Sequence, residues 1–122
     1  MPAILLLTPQ IDDPFASRGE GTWRFVSIAG RDVRGGNYNV VVRGPAALAG
    51  SDGCNHWSRD PKNPGKRTLV YCSPTPERAA YRCLAMAPDL ERRIASMEAD
   101  GRVEFADGTV MVRTARPKLE LF

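Results

Sequence analysis

Bulky and polar side chains alternate over residues 22–28, which places Trp23, Phe25 and Ile28, and less strictly Val26, against a core and predicts a strand. A turn at Ala29-Gly30-Arg31-Asp32 ends it. Gly35-Gly36-Asn37 is a second break, and the β-branched run over 38–43 predicts a second strand that stops at Gly44-Pro45. The small residues of 46–51 lie between two turn signals and read as its hairpin partner. A glycine-flanked turn, Gly50-Ser51-Asp52-Gly53-Cys54-Asn55-His56-Trp57, follows at once. Two prolines mark 60–65 as a loop, and 68–71 reads as a short strand. Residues 1–21 show no periodicity and read as a flexible lead-in, so the structured domain is expected over 22–122.

The period changes after Pro74. Leu90, Ile94 and Met97 recur at helical spacing, with Glu91, Arg92, Arg93 and Glu98 facing away, which predicts one main helix that Asp100-Gly101 stops. The stretch 77–87 has helical propensity as well, but Pro88 denies it continuity with that helix. The chain ends in three short predicted strands, 103–105, 109–114 and 118–122, the first two joined by a turn at Asp107-Gly108.

At 122 residues the chain is a single domain, long enough to bury roughly two-thirds of its unfolded surface without a metal or several disulfides. Its 43% hydrophobic and 25% charged residues are those of an ordinary globular protein, and no segment approaches the ~20 apolar residues of a membrane span. The formal charge of +3 comes from scattered arginines (Arg24, Arg31, Arg43, Arg67, Arg82, Arg113) that form no stripe for nucleic acid. The apolar run at 3–7 is too short and too uncharged for an export signal, and is read as either the tail of a longer one or a genuine cytosolic start.

Candidate chemistry is sparse. His56 with Cys54, Cys72 and Cys83 could be drawn as a zinc site, but the distant single cysteines lack the paired spacing such sites use. Cys54 and His56 as a nucleophile pair lack an orienting third group and oxyanion donors. Asp12, Asp13, Asp52, Asp60 and Asp107 fall in turns or the tail, where Asp is favoured for backbone hydrogen bonding. There is no phosphate loop, dinucleotide fingerprint or His-Glu-x-x-His motif. The sequence therefore points to a protein that is not an enzyme and needs no cofactor.

Trp23-Arg24-Phe25-Val26-Ser27-Ile28-Ala29-Gly30 resembles the opening strand of the META domain, or HslJ-like, family. Gly50, Gly53, Cys54, Asn55 and Trp57 resemble that family's signature turn, Cys83 and the helix beyond it its second cysteine and helix, and 110–122 its closing hairpin. Ala79 and Arg59 stand where the family commonly has Thr and Gly. The resemblance implies an α+β fold, a strongly bent antiparallel sheet or open barrel carrying one main helix. It also implies a non-catalytic domain of the bacterial cell envelope or periplasm, tied to heat shock or antibiotic stress and expected to be a monomer. Cys54 and Cys83 would then be a disulfide if the protein is exported, worth roughly 3 to 4 kcal/mol, and two thiols if it is cytosolic. Cys72 would pack as a small hydrophobe. The partner would be a protein or a small hydrophobic ligand. A lipid or ligand carrier is the alternative to an interaction module, and it calls for an apolar cavity of roughly 300 Å³ or more, lined by residues such as Trp23, Tyr38 and Trp57.

Overall fold

Strand β1, Gly21–Ile28, is the spine of the sheet, flanked by β3 (Tyr38–Arg43) and β7 (Val110–Ala115). A computed structural model describes residues 11–59 and 72–119. The loop expected at 60–65, the strand at 68–71, the apolar run at 3–7 and residues 120–122 of the closing strand lie outside them. Outward from β3 come β4 (Ala46–Asp52) and β5 (His56–Ser58), and outward from β7 comes β6 (Arg102–Glu104). The two-residue β2 (Arg31–Asp32) pairs with β1. All of these ladders are antiparallel, and among the described residues the sheet stays open between β5 and β6.

The expected core positions of β1 are buried, Trp23, Phe25 and Ile28 being at most 1% exposed. Phe25 and Ile28 are three apart, which strict alternation forbids. The register against β7 slips between Phe25 and Ser27, so Val26 is an extra residue and the bulge turns Ile28 back to the core. At the end of β1, Ala29 and Gly30 both adopt positive φ, as a tight two-residue hairpin turn demands.

Two helices cover the sheet where one was expected. Helix α1, Pro76–Ala85, begins at Thr75, whose hydroxyl accepts a hydrogen bond from the amide of Arg78, with Pro76 in the first turn. Helix α2, Leu90–Met97, carries the Leu90 and Ile94 stripe. Pro88 separates them, as its missing amide requires, but the propensity of 77–87 is realised as a helix of its own. Helix α1 packs on β4 and β1, and α2 lies across β4, β3 and β6. Tyr81, Ala85, Leu90 and Ile94 join Val40, Val42, Val103 and Met111 in one core. The architecture is α+β.

Instead of trailing freely, residues 11–20 are strapped to this body. Asp13 and Leu119 amides donate to Pro117 and Ile11 carbonyls, and Asp12 bridges to Lys118. The Ser17 hydroxyl and the Gly19 amide both reach the carboxylate of Glu91, and the Trp23 indole donates to the Gly19 carbonyl at 3.1 Å. Lys118, expected in a third closing strand, forms an isolated bridge to Asp12, and its Nζ also pairs with the Asp12 carboxylate at 2.6 Å.

Candidate functional site

The glycine-flanked turn at 50–57 is built around a buried carboxylate. Asp52 closes β4 with 3% exposure; its Oδ1 accepts from the amides of Cys54 and Asn55 at 3.0 and 2.7 Å, and its Oδ2 from the Asn55 side-chain amide at 3.1 Å. The Asp52 amide donates to the Asn55 carbonyl, so Asp52 and Asn55 fasten both ends of the bend. Burial alone would raise the Asp52 pKa, but these hydrogen bonds and the nearby charge of Arg78 outweigh it and hold the carboxyl below its usual value. Gly53 lies at φ +88°, and a Cβ there would run into the Gly36 carbonyl, which is why glycine occupies the bend.

The disulfide is Cys54–Cys72, with Cα atoms 6.3 Å apart, and not Cys54–Cys83. Cys83 is a free, exposed thiol. The physical reason is where α1 starts: at Pro76, so Cys83 lies two turns inside the helix on its solvent face rather than at its head. Cys72 is carried to the bend by the segment that leads into α1. Arg78 clamps that segment in place, donating to the Asp52 carbonyl at 3.4 Å and the Ser73 carbonyl at 3.0 Å. With its sulfur bonded, Cys54 serves neither as a nucleophile beside His56 nor as a thiolate ligand.

Trp57 and Gly50 meet at Tyr81. Trp57 Nε1 donates to the Tyr81 hydroxyl at 2.9 Å, and that hydroxyl donates to the Asn39 carbonyl at 2.7 Å. Gly50 makes room for this junction: a Cβ at that position would collide with the Tyr81 hydroxyl and the Asn39 carbonyl. Burial pushes the Tyr81 phenol far above its ordinary pKa, so it remains a donor at any physiological pH. We expect Gly50→Ala to cost roughly 2 kcal/mol by overpacking, seen as a lower urea midpoint; an unchanged midpoint would contradict the close approach. Tyr81 itself is not singled out by the sequence pattern. The Thr75-Pro76-Glu77 start, followed by Tyr81 and Ala85 at i and i+4, is the signal that could have found it.

Gly50, Gly53, Cys54, Asn55 and Trp57 thus brace the framework. An open cleft of about 490 Å³ lies between α1, α2, β1 and the segment joining β6 to β7. Phe25, Ile28, Tyr81, Leu84, Met97 and Phe105 supply apolar walls. Phe25 meets Tyr81 edge to face at 5.2 Å, which fixes both rings. Among the polar lining groups, Thr109 Oγ1 accepts from the Ala29 amide, Asp107 Oδ1 from the Thr109 amide, and the Ser96 hydroxyl donates to the Arg93 carbonyl. The Arg93 guanidinium lies 5.3 Å from the centre of the Phe105 ring.

The aromatic residues expected to line a carrier cavity do not line this cleft. Trp23 is fully buried beneath Arg113, Trp57 is held by Tyr81, and Tyr38 packs edge to face on Tyr81 at 5.6 Å. Among the described residues no helix is long and apolar enough to cross a membrane.

Comparisons with known proteins return no match: no family model fits the chain, and neither a curated protein nor a solved structure is significantly similar to it.

Proposed function

We propose that this chain is a non-catalytic binding domain of the META type, working in an oxidising compartment such as the bacterial envelope, with the cleft beside Tyr81 as its ligand site. The single observation that carries the binding role is the cleft itself. Its volume falls in the range of small-molecule sites, and its walls are mostly apolar with a few fixed polar groups. That favours a small hydrophobic ligand over a protein partner as the first candidate. The Cys54–Cys72 bond supports the compartment, since such bonds persist outside the reducing cytosol. The META assignment and its link to stress rest on the motif resemblance at 23–30 and 50–57.

The test is fluorescence of N-phenyl-1-naphthylamine, a neutral apolar dye, titrated with the full chain and with Ser96→Trp. Ser96 is exposed on α2 and lines the cleft, so a tryptophan there fills the space at little cost to the fold. Saturable enhancement with the wild type, weakened about ten-fold in Ser96→Trp, is expected; that is the effect of losing ~1.4 kcal/mol of contact. Equal binding by both proteins, with unchanged circular dichroism, would place the dye elsewhere and reject the site.

A further inference from the structure

We infer that the cleft takes an amphipathic carboxylate, its hydrocarbon body against the Tyr81 and Phe105 rings and its head on Arg93; the inference rests on the cleft being the ligand site. The deciding feature is the state of the charges around that space. Most arginines near carboxylates are paired: Arg18 with Glu98, Arg31 with Glu77, Arg34 with Asp32 and Arg92 with Asp89. Arg93 is not. Among the described residues it meets no carboxylate, and its guanidinium is occupied only by the face of Phe105.

The Arg93 guanidinium faces the Phe105 ring, and among the described residues its N–H donors have no hydrogen-bond partner. A planar guanidinium held by an aromatic face is pre-arranged to grip a carboxylate with two parallel hydrogen bonds. The cleft therefore joins apolar walls to a cation that, among the described residues, forms no ion pair.

Asp107 lines the same cleft and could instead select an amine. Two facts argue against it. Its Oδ1 already accepts the Thr109 amide at 2.9 Å, within the turn that joins β6 to β7. It also makes no ion pair with Arg93, which leaves the guanidinium donors open to a ligand. Ser96 and Thr109 are neutral, and their hydroxyls are engaged with the backbone. The ligand should thus orient with its head toward α2.

Calorimetric titration of the full chain with decanoate, decanol and decyltrimethylammonium, each below its micelle concentration, tests this. Decanoate should bind at least ten-fold more tightly than decanol, and Arg93→Gln should weaken decanoate far more than decanol, bringing the two to similar affinity. A charge-assisted hydrogen bond is worth about that much. Arg93→Lys should retain only part of the preference, and it also serves if Arg93→Gln melts early. Equal binding of decanoate and decanol to the wild type, or decanoate binding insensitive to Arg93, overturns the carboxylate assignment while leaving the cleft as the site. Tightest binding of the ammonium compound overturns it in favour of Asp107. If none of the three binds, or Ser96→Trp weakens none of them, the cleft itself is wrong and the inference falls with it.

Discussion

Replacing Glu98 by glutamine lowers the unfolding free energy by roughly 3 kcal/mol at neutral pH, the cost of leaving a buried charge without its partner. Glu98 terminates α2 with a side chain 6% exposed, and it faces Arg113, whose side chain is 5% exposed, at 3.6 Å. Arg113 reaches into the molecule from β7, its guanidinium 4.5 Å from the Trp23 ring centre, and one of its nitrogens donates to the Arg18 carbonyl. Its Nε and Nη1 have no hydrogen-bond partner among the described residues, so the Glu98 charge is their main compensation. Glu98 also accepts from Arg18 Nε at 2.7 Å and from the Gly101 amide at 2.6 Å. One carboxylate therefore joins the N-terminal strap, the end of α2, the turn into β6 and strand β7.

The same contacts give a pH signature. The Arg18 hydrogen bond, the Gly101 amide and the charge of Arg113 hold the Glu98 pKa below its ordinary value against the opposing effect of burial. A carboxyl with a depressed folded pKa stabilises the fold above its unfolded pKa, near 4.3, and that contribution is lost as pH falls through the folded value. Other carboxylates, among them Asp52, are depressed too, so the wild type loses stability in acid for several reasons. The difference between wild type and Glu98→Gln isolates this one: it should be largest near pH 7 and shrink below about pH 4. Urea melts over that range would expose a wrong account by a gap that does not change with pH.

Removing the Cys54–Cys72 bond is the second large effect. The double replacement of Cys54 and Cys72 by serine should cost about 3 kcal/mol, as expected for closing a loop of 18 residues' separation. Cys83→Ser, on an exposed face of α1, should stay within about 0.5 kcal/mol of the wild type. Under denaturing, non-reducing conditions one thiol should react, and peptide mapping should find it on Cys83. A peptide in which Cys83 is bonded to Cys54 would restore the pairing that the family resemblance implies and overturn the one described here.

That pairing shows where the sequence stops informing. Strands are legible because burial on one face leaves a period of two, and Trp23, Phe25, Val40 and Val42 all lie where that period puts them. The step from Phe25 to Ile28 is legible only as an irregularity, since the bulge at Val26 depends on the register of a strand more than eighty residues away. With three cysteines, spacing alone allows three pairings, and the choice is made by the point at which α1 begins. The glycines and asparagine of the bend are legible as a turn. Their reason is not, because it lies in Tyr81 of α1 and in the carbonyl of Gly36.

The cleft is the least legible feature. Phe25, Leu84, Met97 and Phe105 each read as an ordinary core position of their own segment, and no single segment's pattern reports a gap between four of them. Arg93 likewise reads as part of the solvated face of α2, opposite Leu90 and Ile94. Its place on the cleft wall shows only in the contact with Phe105, which comes from the end of β6.

We propose that a ligand binds in the space beside Tyr81. A two-dimensional amide NMR titration of the full chain with decanol tests it most directly. Saturable shifts grouped at Leu84, Ser96, Met97, Phe105 and Thr109, with the Asp52–Asn55 bend unmoved, are the predicted result. Shifts gathered around Cys83 on the outer face of α1, or none at saturating alcohol, would contradict it.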